Sequence, residues 1–249
     1  MKMFVWDTET TGINCQVDRL VEIAAMELGE DGLPLMDEND EFRCLFETYV
    51  NPLRDIPPEA KCVHHITEKM VSGAPCEDSA VAKMLTSLDV NDGDLFVAHN
   101  ARFDRGFLKR IDPEIEKGLQ HICTMKCAKV IWPDAPGYAN QFLRYWLGLE
   151  PKLPQGLMPH RAAYDIAVTA TIFAEELKHK PLEELLEISN KPILLKNMPM
   201  GKHKGVAFDQ IPISYLRWLL DENDAKPGSF DDDLIYTVGV YLSKTRSFR

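Results

Sequence analysis

Lys2-Met3-Phe4-Val5-Trp6-Asp7-Thr8-Glu9-Thr10-Thr11-Gly12 passes from a short apolar run directly into two acids separated by one residue. The apolar run reads as a strand. Side chains alternate across a strand, so Asp7 and Glu9 are presented together on one face, an arrangement that suits a hard divalent cation. Acid-x-acid pairs arise by chance in a chain with 39 Asp and Glu, and most such pairs are solvated surface groups. This pair stands apart because it closes an apolar strand. The following Thr10-Thr11-Gly12 supplies hydroxyls, backbone amides and a flexible glycine suited to gripping a nucleotide end.

Outward from this strand, residues 20–28 form a second extended stretch, Gly29-Glu30-Asp31-Gly32 turns the chain, and Phe42 to Val50 reads as a third strand, giving an antiparallel meander. Beyond Pro57-Pro58, a helical pattern at 77–88 precedes a buried-strand run from Asp94 to His99. Helical patterns recur at 104–111, 124–132 and 139–147. The longest helix signal runs from Ala162 to Lys178, with Ile166, Thr169, Ala170 and Phe173 at helical spacing and no Gly or Pro inside. Strands followed by helices indicate an α/β domain. Pro181, Pro192 and Pro199 punctuate a transition, so the chain divides into a domain at 1–180, a linker at 181–198 and a small C-terminal α+β module at 199–249. In that module Tyr215, Leu216, Trp218 and Leu219 read as an internal core packed against a helix from Asp231 to Leu242.

Forty-five per cent hydrophobic and 27% charged residues exclude a disordered chain. No apolar run approaches a membrane span, and none of the six cysteines forms a C-x-x-C pair, so a cytoplasmic protein with reduced thiols and no membrane partner is expected. Cys62 with the neighbouring His64 or His65, and Cys123 with Cys127, make poor zinc sites. The net charge of −11 is uneven: residues 1–190 hold 19 Lys and Arg against 32 Asp and Glu, whereas residues 191–249 hold 9 against 7. An acidic domain still binds phosphate where its carboxylates hold divalent cations, so bulk charge does not exclude nucleic acid.

Two more clusters carry chemistry. Val97-Ala98-His99-Asn100-Ala101-Arg102-Phe103-Asp104 is an apolar strand that breaks into a polar turn and sets Asp104 at a helix start, where an N-cap role is the competing reading. Pro159-His160-Arg161-Ala162-Ala163-Tyr164-Asp165 opens the long helix. Five residues at about 100° each put His160 and Asp165 roughly 140° apart on a helix, so they converge only if His160 lies on the turn before it. Alone, His160 reads as a surface or capping histidine rather than a catalyst.

The order and spacing of Asp7-x-Glu9, Asp104, and His160 with Asp165 resemble the DEDDh branch of the 3′-to-5′ exonuclease superfamily that includes polymerase proofreading subunits. Ile122-Cys123-Thr124-Met125-Lys126, Ile131-Trp132-Pro133, Gly201-Lys202-His203-Lys204-Gly205 and Tyr215-Leu216-Arg217-Trp218-Leu219 look like its exonuclease X group, so the resemblance spans nearly the whole chain. Thr11 and Ile13, a longer second-to-third-strand connection and a longer C-terminus depart from that pattern. The resemblance implies a ribonuclease H-like mixed sheet flanked by helices. It also implies two Mg²⁺ ions, replaceable by Mn²⁺, on Asp7, Glu9, Asp104 and Asp165, with His160 as general base and 5′-nucleoside monophosphates as products. The implied substrate is a DNA 3′ end, single- or double-stranded, and the implied setting DNA repair. Two ions and four acids fit an in-line phosphodiester displacement, and imidazole as a residue type titrates near neutrality.

Around this set, Thr8, Thr10, Thr11, Gly12, Ile13, Asn14, His65, Asn100 and Phe103 are candidate substrate contacts. Similarity to related exonucleases places Ile13 and Asn14 at the terminal base, while a core position for Ile13 is the alternative. His64-His65-Ile66-Thr67 resembles a family loop, with Thr67 equally an N-cap, whereas Phe103 reads first as a core residue. Arg102, Arg105, Lys126 and Arg161 are phosphate contacts or solvated charges. Two further functions share these residues: an exoribonuclease trimming RNA, and a catalytically silent nucleic-acid-binding protein. Four converging acids repel one another and serve no purpose in a silent binder. A protein partner for the C-terminal module is a further expectation, carried by its basic turn.

Overall fold

The structure, a computed structural model, describes residues 1–43, 45–226 and 229–246. Cys44, Pro227, Gly228 and 247–249, which the strand, cysteine and C-terminal readings included, lie outside the described residues. The strands β1 (Met3–Thr10), β2 (Leu20–Leu28), β3 (Leu45–Tyr49), β4 (Leu95–Ala98) and β5 (Gln120–Cys123) form one sheet in the order β3-β2-β1-β4-β5. The first three strands pair antiparallel as a meander, and β1-β4 and β4-β5 pair parallel, so the sheet is mixed as expected.

Helices lie on both faces, and the alternation of β1 decides which side chains meet them. Met3 and Val5 share a core with Ala24 and Met26 of β2 and with Ala163, Ile166, Ala170 and Phe173 of the long helix. Phe4 and Trp6 pack on the opposite face against Ala80, Val81, Met84, Phe107 and Leu108. Continued two residues at a time, the first set leads to Asp7 and Glu9, which therefore point toward the long helix.

The helices in chain order are α1 (Pro58–His64), α2 (Glu68–Val71), α3 (Glu77–Ser87), α4 (Arg102–Ile111), α5 (Pro113–Gly118), α6 (Thr124–Ile131), α7 (Asn140–Trp146), α8 (Ala162–His179), α9 (Leu182–Asn190), α10 (Ile213–Ala225) and α11 (Asp232–Arg246). The expected spans at 77–88, 104–111, 124–132, 139–147 and 162–178 are each a helix within a few residues. No helix among the described residues is long and apolar enough to cross a membrane.

Two readings are corrected. The stretch at 181–198 is not a free linker: Pro181 caps α9, whose Leu185 is fully buried with the sheet core, and Ile193, Leu195 and Met198 are buried in the next cluster. The C-terminal part is helical rather than α+β. Its described residues hold α10, α11, two short 3₁₀ turns (Gly201–His203 and Phe208–Gln210) and one isolated bridge, Asn197 to Ala207, because two apolar helices already enclose Phe208, Leu216, Leu219, Leu234 and Val238. Lys126 of α6 joins it to the sheet through a largely buried ion pair with Asp233, 3.1 Å. We propose that this cluster is a small module in its own right, beginning near Lys191.

Candidate active site

At the C-terminal end of β1, Asp7 and Glu9 project toward the start of α8. Glu9 lies opposite Glu22 of β2, just before the pairing shifts register at Thr10. The last β4 residue, Ala98, leads through His99 to Asn100, whose φ of +66° turns the chain into α4. Asn tolerates this left-handed geometry better than most residues. His99 closes the turn from inside: its ring nitrogens meet the Thr124 hydroxyl at 2.9 Å and the Tyr138 carbonyl at 2.8 Å, and burial pushes its pKa down to about 4. Asp104 is not the N-cap of α4, because the helix begins two residues earlier. It is buried in the first turn, where one carboxylate oxygen accepts from the Thr8 amide at 3.0 Å and the Thr8 hydroxyl at 2.7 Å.

The third element is the start of α8. His160 lies on the turn before the helix with φ +65°, and its amide donates to Asp165 Oδ2 at 3.0 Å. Glu9, His160 and Asp165 bring one ligand atom each to within 4.8 Å of one another. Gln141 of α7 donates to Asp165 Oδ1 at 3.2 Å.

The electrostatics report the same convergence. Burial, followed by the charges of Asp104, Glu9 and Asp165, holds the Asp7 carboxyl well above its ordinary range. Glu9 is pushed up to about 9 by burial first, then by Asp165, Glu22 and Asp104, with Arg161 opposing. Asp104 rises to about 7 through burial, against the Thr8 hydrogen bonds. Burial also raises Asp165, and His160 works against it. Like charges held together in a desolvated pocket resist ionisation unless a cation neutralises them. The donors are all oxygens, with one imidazole at the rim, which fits Mg²⁺ or Mn²⁺ better than a softer ion.

Glu22 was not singled out by its sequence position. It is fully buried, and Arg161 grips it: Nε donates at 3.0 and 3.1 Å to the two oxygens, Nη2 donates to Oε1, and the Ala162 amide adds a bond of 2.9 Å. Arg161 Nη2 also donates to the Tyr49 hydroxyl at 3.0 Å. This clamp ties the first turn of α8 to β2 and thereby sets where His160 and Asp165 stand. The available signal was an acid inside the apolar run Leu20-Val21-Glu22-Ile23-Ala24, which demands a partner.

The remaining candidates separate by what they touch. The three hydroxyls expected to grip substrate are committed within the protein: Thr8 to Asp104, Thr10 to the Gly12 carbonyl at 2.6 Å, and Thr11 to the Arg19 amide at 3.0 Å. Gly12 lies against the Asp18 carboxylate, which a Cβ there would meet at 2.6 Å and would have to displace. Ile13 is 90% exposed, which removes the core alternative, and Asn14 is exposed beside it. His65 (φ +60°) and Asn100 are exposed. Phe103 packs against Phe107 with ring centroids 5.3 Å apart and belongs to the core periphery. Thr67 occupies the N-cap of α2 without a capping bond from its hydroxyl. Four cations considered for phosphate are already paired: Arg102 with Asp231, Arg105 with Glu116, Lys126 with Asp233, and Arg161 with Glu22.

Comparison with known proteins adds independent findings. The RNase_T exonuclease family model matches residues 4–173. Exodeoxyribonuclease 10 of Escherichia coli (strain K12) is 32% identical over 246 residues, covering 96% of this chain and 98% of that protein. A PolC-type DNA polymerase III of Clostridium perfringens is 30% identical over 74% of this chain but only 12% of its own length. Among solved structures, exonuclease X in complex with 5′ overhanging duplex DNA superposes with a TM-score of 0.60 at 29% identity, covering 76% of this chain and 99% of that one. E. coli exonuclease I in complex with a dA16 oligonucleotide gives a TM-score of 0.57 at 18% identity over 75% of this chain and 42% of its own, a likeness of fold.

Proposed function

The chain belongs to the RNase_T exonuclease family and is a phosphodiester-cleaving nuclease, and from that premise we propose that it removes nucleotides from DNA 3′ ends as 5′-nucleoside monophosphates. Asp7, Glu9, Asp104 and Asp165 hold the divalent ions in this reading, with Mg²⁺ first and Mn²⁺ as substitute. Two such ions supply positive charge to the attacking and leaving oxygens of an in-line displacement.

The protein's own residues do the rest. His160, exposed at the rim and facing Asp165, takes the proton of the attacking water. The Glu22–Arg161 clamp fixes the turn that carries it. Ile13 and Asn14, exposed on a loop braced by Asp18, meet the terminal base, and His65 and Asn100 line the approach of the strand. DNA as substrate is supported by the likeness to exodeoxyribonuclease 10 along nearly the whole chain. Action in DNA repair, in a reducing cytoplasm suited to the free thiols of Cys15, Cys62, Cys76, Cys123 and Cys127, belongs to the same proposal.

The observation that carries the reading is the meeting of Glu9, His160 and Asp165 within 4.8 Å of one another, with Asp7 and Asp104 near enough for charge repulsion to couple them to the same cluster. The test is hydrolysis of DNA labelled at its 5′ end or its 3′ end, beside RNA of the same sequence, with Mg²⁺ or with chelator. Immediate Mg²⁺-dependent release of mononucleotide from the 3′ label is expected. Release from the 5′ label first, or faster cleavage of RNA than DNA, would overturn direction or substrate respectively.

A further inference from the structure

The sequence reading placed Tyr215, Leu216, Trp218 and Leu219 together in a C-terminal core, but the structure divides them. Leu216 and Leu219 are buried against Leu234 and Val238 of α11. Trp218 is 46% exposed, and Tyr215 is half-buried beside it with ring centroids 5.3 Å apart. Tyr215 packs on the edge of that core and Trp218 meets Phe230 edge-on at 6.3 Å, so two aromatic rings one helical turn apart form a ledge at the core's rim, with the indole partly open.

The basic turn is folded onto this ledge. Gly201, at φ +69°, brings the backbone so close that a Cβ would meet the Tyr215 hydroxyl at 2.7 Å. The Lys202 ammonium lies 4.8 Å from the Tyr215 ring centroid, and the His203 ring packs edge-on at 4.6 Å. His203 Nε2 is enclosed without a hydrogen-bond partner among the described residues. Backbone bonds from Met198 to Val206 (2.9 Å) and from Gly205 to Met198 (2.8 Å) hold the turn in place. Lys202, Pro212, Ser214, Tyr215 and Trp218 line an open groove of about 560 Å³.

Charge indicates the occupant. The chain carries −11 overall, yet residues 199–218 hold Lys202, Lys204 and Arg217 against one acid, Asp209. An open indole beside an ammonium matches a base beside its phosphate, because every base offers a stacking face and the cation answers the backbone. The family model ends at residue 173, so this groove lies outside the segment that defines the nuclease, whereas the likeness to exodeoxyribonuclease 10 includes it.

We propose that Trp218, Tyr215 and Lys202 form a second nucleic-acid contact, in which an unpaired base of a single-stranded segment stacks on Trp218 and the adjoining phosphate meets Lys202. The inference rests on the nuclease reading for its choice of nucleic acid as occupant. The ledge retains the strand while the acidic site cleaves its end, which answers how so acidic a chain keeps a polyanion bound between cuts.

The experiment uses the full chain and two readouts. Fluorescence anisotropy with labelled oligothymidylate in chelator reads binding without cleavage, and hydrolysis of the p-nitrophenyl ester of thymidine 5′-phosphate with Mg²⁺ reads the catalytic site alone. Trp218→Ala is expected to weaken oligothymidylate binding by roughly 5- to 150-fold, as loss of one base stack does. Trp218→Phe is expected to restore most of it. Lys202→Ala is expected to flatten the log-log salt dependence by about 0.7. All three are expected to leave ester hydrolysis unchanged. Unchanged oligothymidylate affinity in Trp218→Ala overturns the proposal, as does a loss that Phe does not restore or an equal loss of ester hydrolysis. If the wild-type chain fails to hydrolyse the ester, the active-site reading falls by itself, since the binding comparison needs no cleavage.

Discussion

Replacing Glu22 by Ala removes a carboxylate that never reaches solvent and leaves Arg161, with a side chain only 17% exposed, holding a positive charge against the sheet. Losing one partner of a buried pair costs about 3–5 kcal/mol, since the remaining charge stays desolvated. Here Glu22 accepts from Arg161 Nε at 3.0 and 3.1 Å and from the Ala162 amide at 2.9 Å, while Glu47 at 3.5 Å and the Tyr49 hydroxyl give Arg161 only part of a replacement. One effect opposes this: Glu22 contributes to the raised pKa of Asp7, Glu9 and Asp165, so its removal relieves some repulsion in the metal-free protein. The midpoint of thermal unfolding with Mg²⁺ present should fall by about 6–20 °C, at 2–4 °C per kcal/mol for a chain of this size. Because the clamp holds the turn carrying His160, turnover in the surviving folded protein should drop on the order of 10²-fold. A double-mutant cycle with Arg161→Met separates the pair from its surroundings. A coupling energy near zero, or a Glu22→Ala protein that melts with the wild type and turns over normally, would refute the clamp.

Protonation gives the second prediction. Glu9 (about 9) and Asp104 (about 7) are raised above their unfolded values, so the stability they contribute is full below the unfolded carboxylate range and is lost as pH rises through 7 and then 9. In chelator the melting midpoint should therefore climb as pH falls from 9.5 to 6, and Mg²⁺ should flatten that slope; a flat profile in chelator contradicts it. Glu176 of α8 is fully buried with neither carboxylate oxygen hydrogen-bonded among the described residues, and burial holds its pKa well above the usual range. Glu176→Gln should melt close to the wild type only at and below the usual carboxylate range and should gain on it progressively as pH rises above that range, because the acid ionises in the unfolded chain but not in its buried site; a midpoint at or below the wild type throughout would show that the acid is ionised and partnered. Ile13→Ala should slow degradation of duplex DNA ends more than of single strands, and equal rates on both would remove Ile13 from the terminal base.

The central sheet was legible because its signal is local. Side-chain alternation along the strand Met3–Thr10 placed Asp7 and Glu9 on one face, and the stretch from Ala162 to Lys178, free of Gly and Pro, announced α8. What escaped depends on distant partners. β5 is four residues long, begins with an exposed Gln120, and becomes a strand only by pairing with β4. Pro181 reads as a break in sequence but serves as the N-cap of α9, whose burial of Leu185 needs a sheet built from residues far upstream. Arg161 looks like a free phosphate contact until folding brings Glu22, 139 positions away, against it. Thr10 and Thr11 offer hydroxyls in sequence, and only the folded loop shows them spent on Gly12 and Arg19.

Calorimetric titration of Mn²⁺ into the full chain, beside Asp7→Asn, Glu9→Gln, Asp104→Asn, Asp165→Asn and His160→Ala, tests the shared metal site most directly. Each carboxamide should weaken Mn²⁺ binding and remove nearly all hydrolysis, because each takes an anionic oxygen from one cluster. His160→Ala should keep Mn²⁺ affinity while turnover falls roughly 10²- to 10⁴-fold, as loss of a general base does. Mn²⁺ uptake undiminished in any of the four carboxamide variants, or lost equally with His160→Ala, would contradict the account.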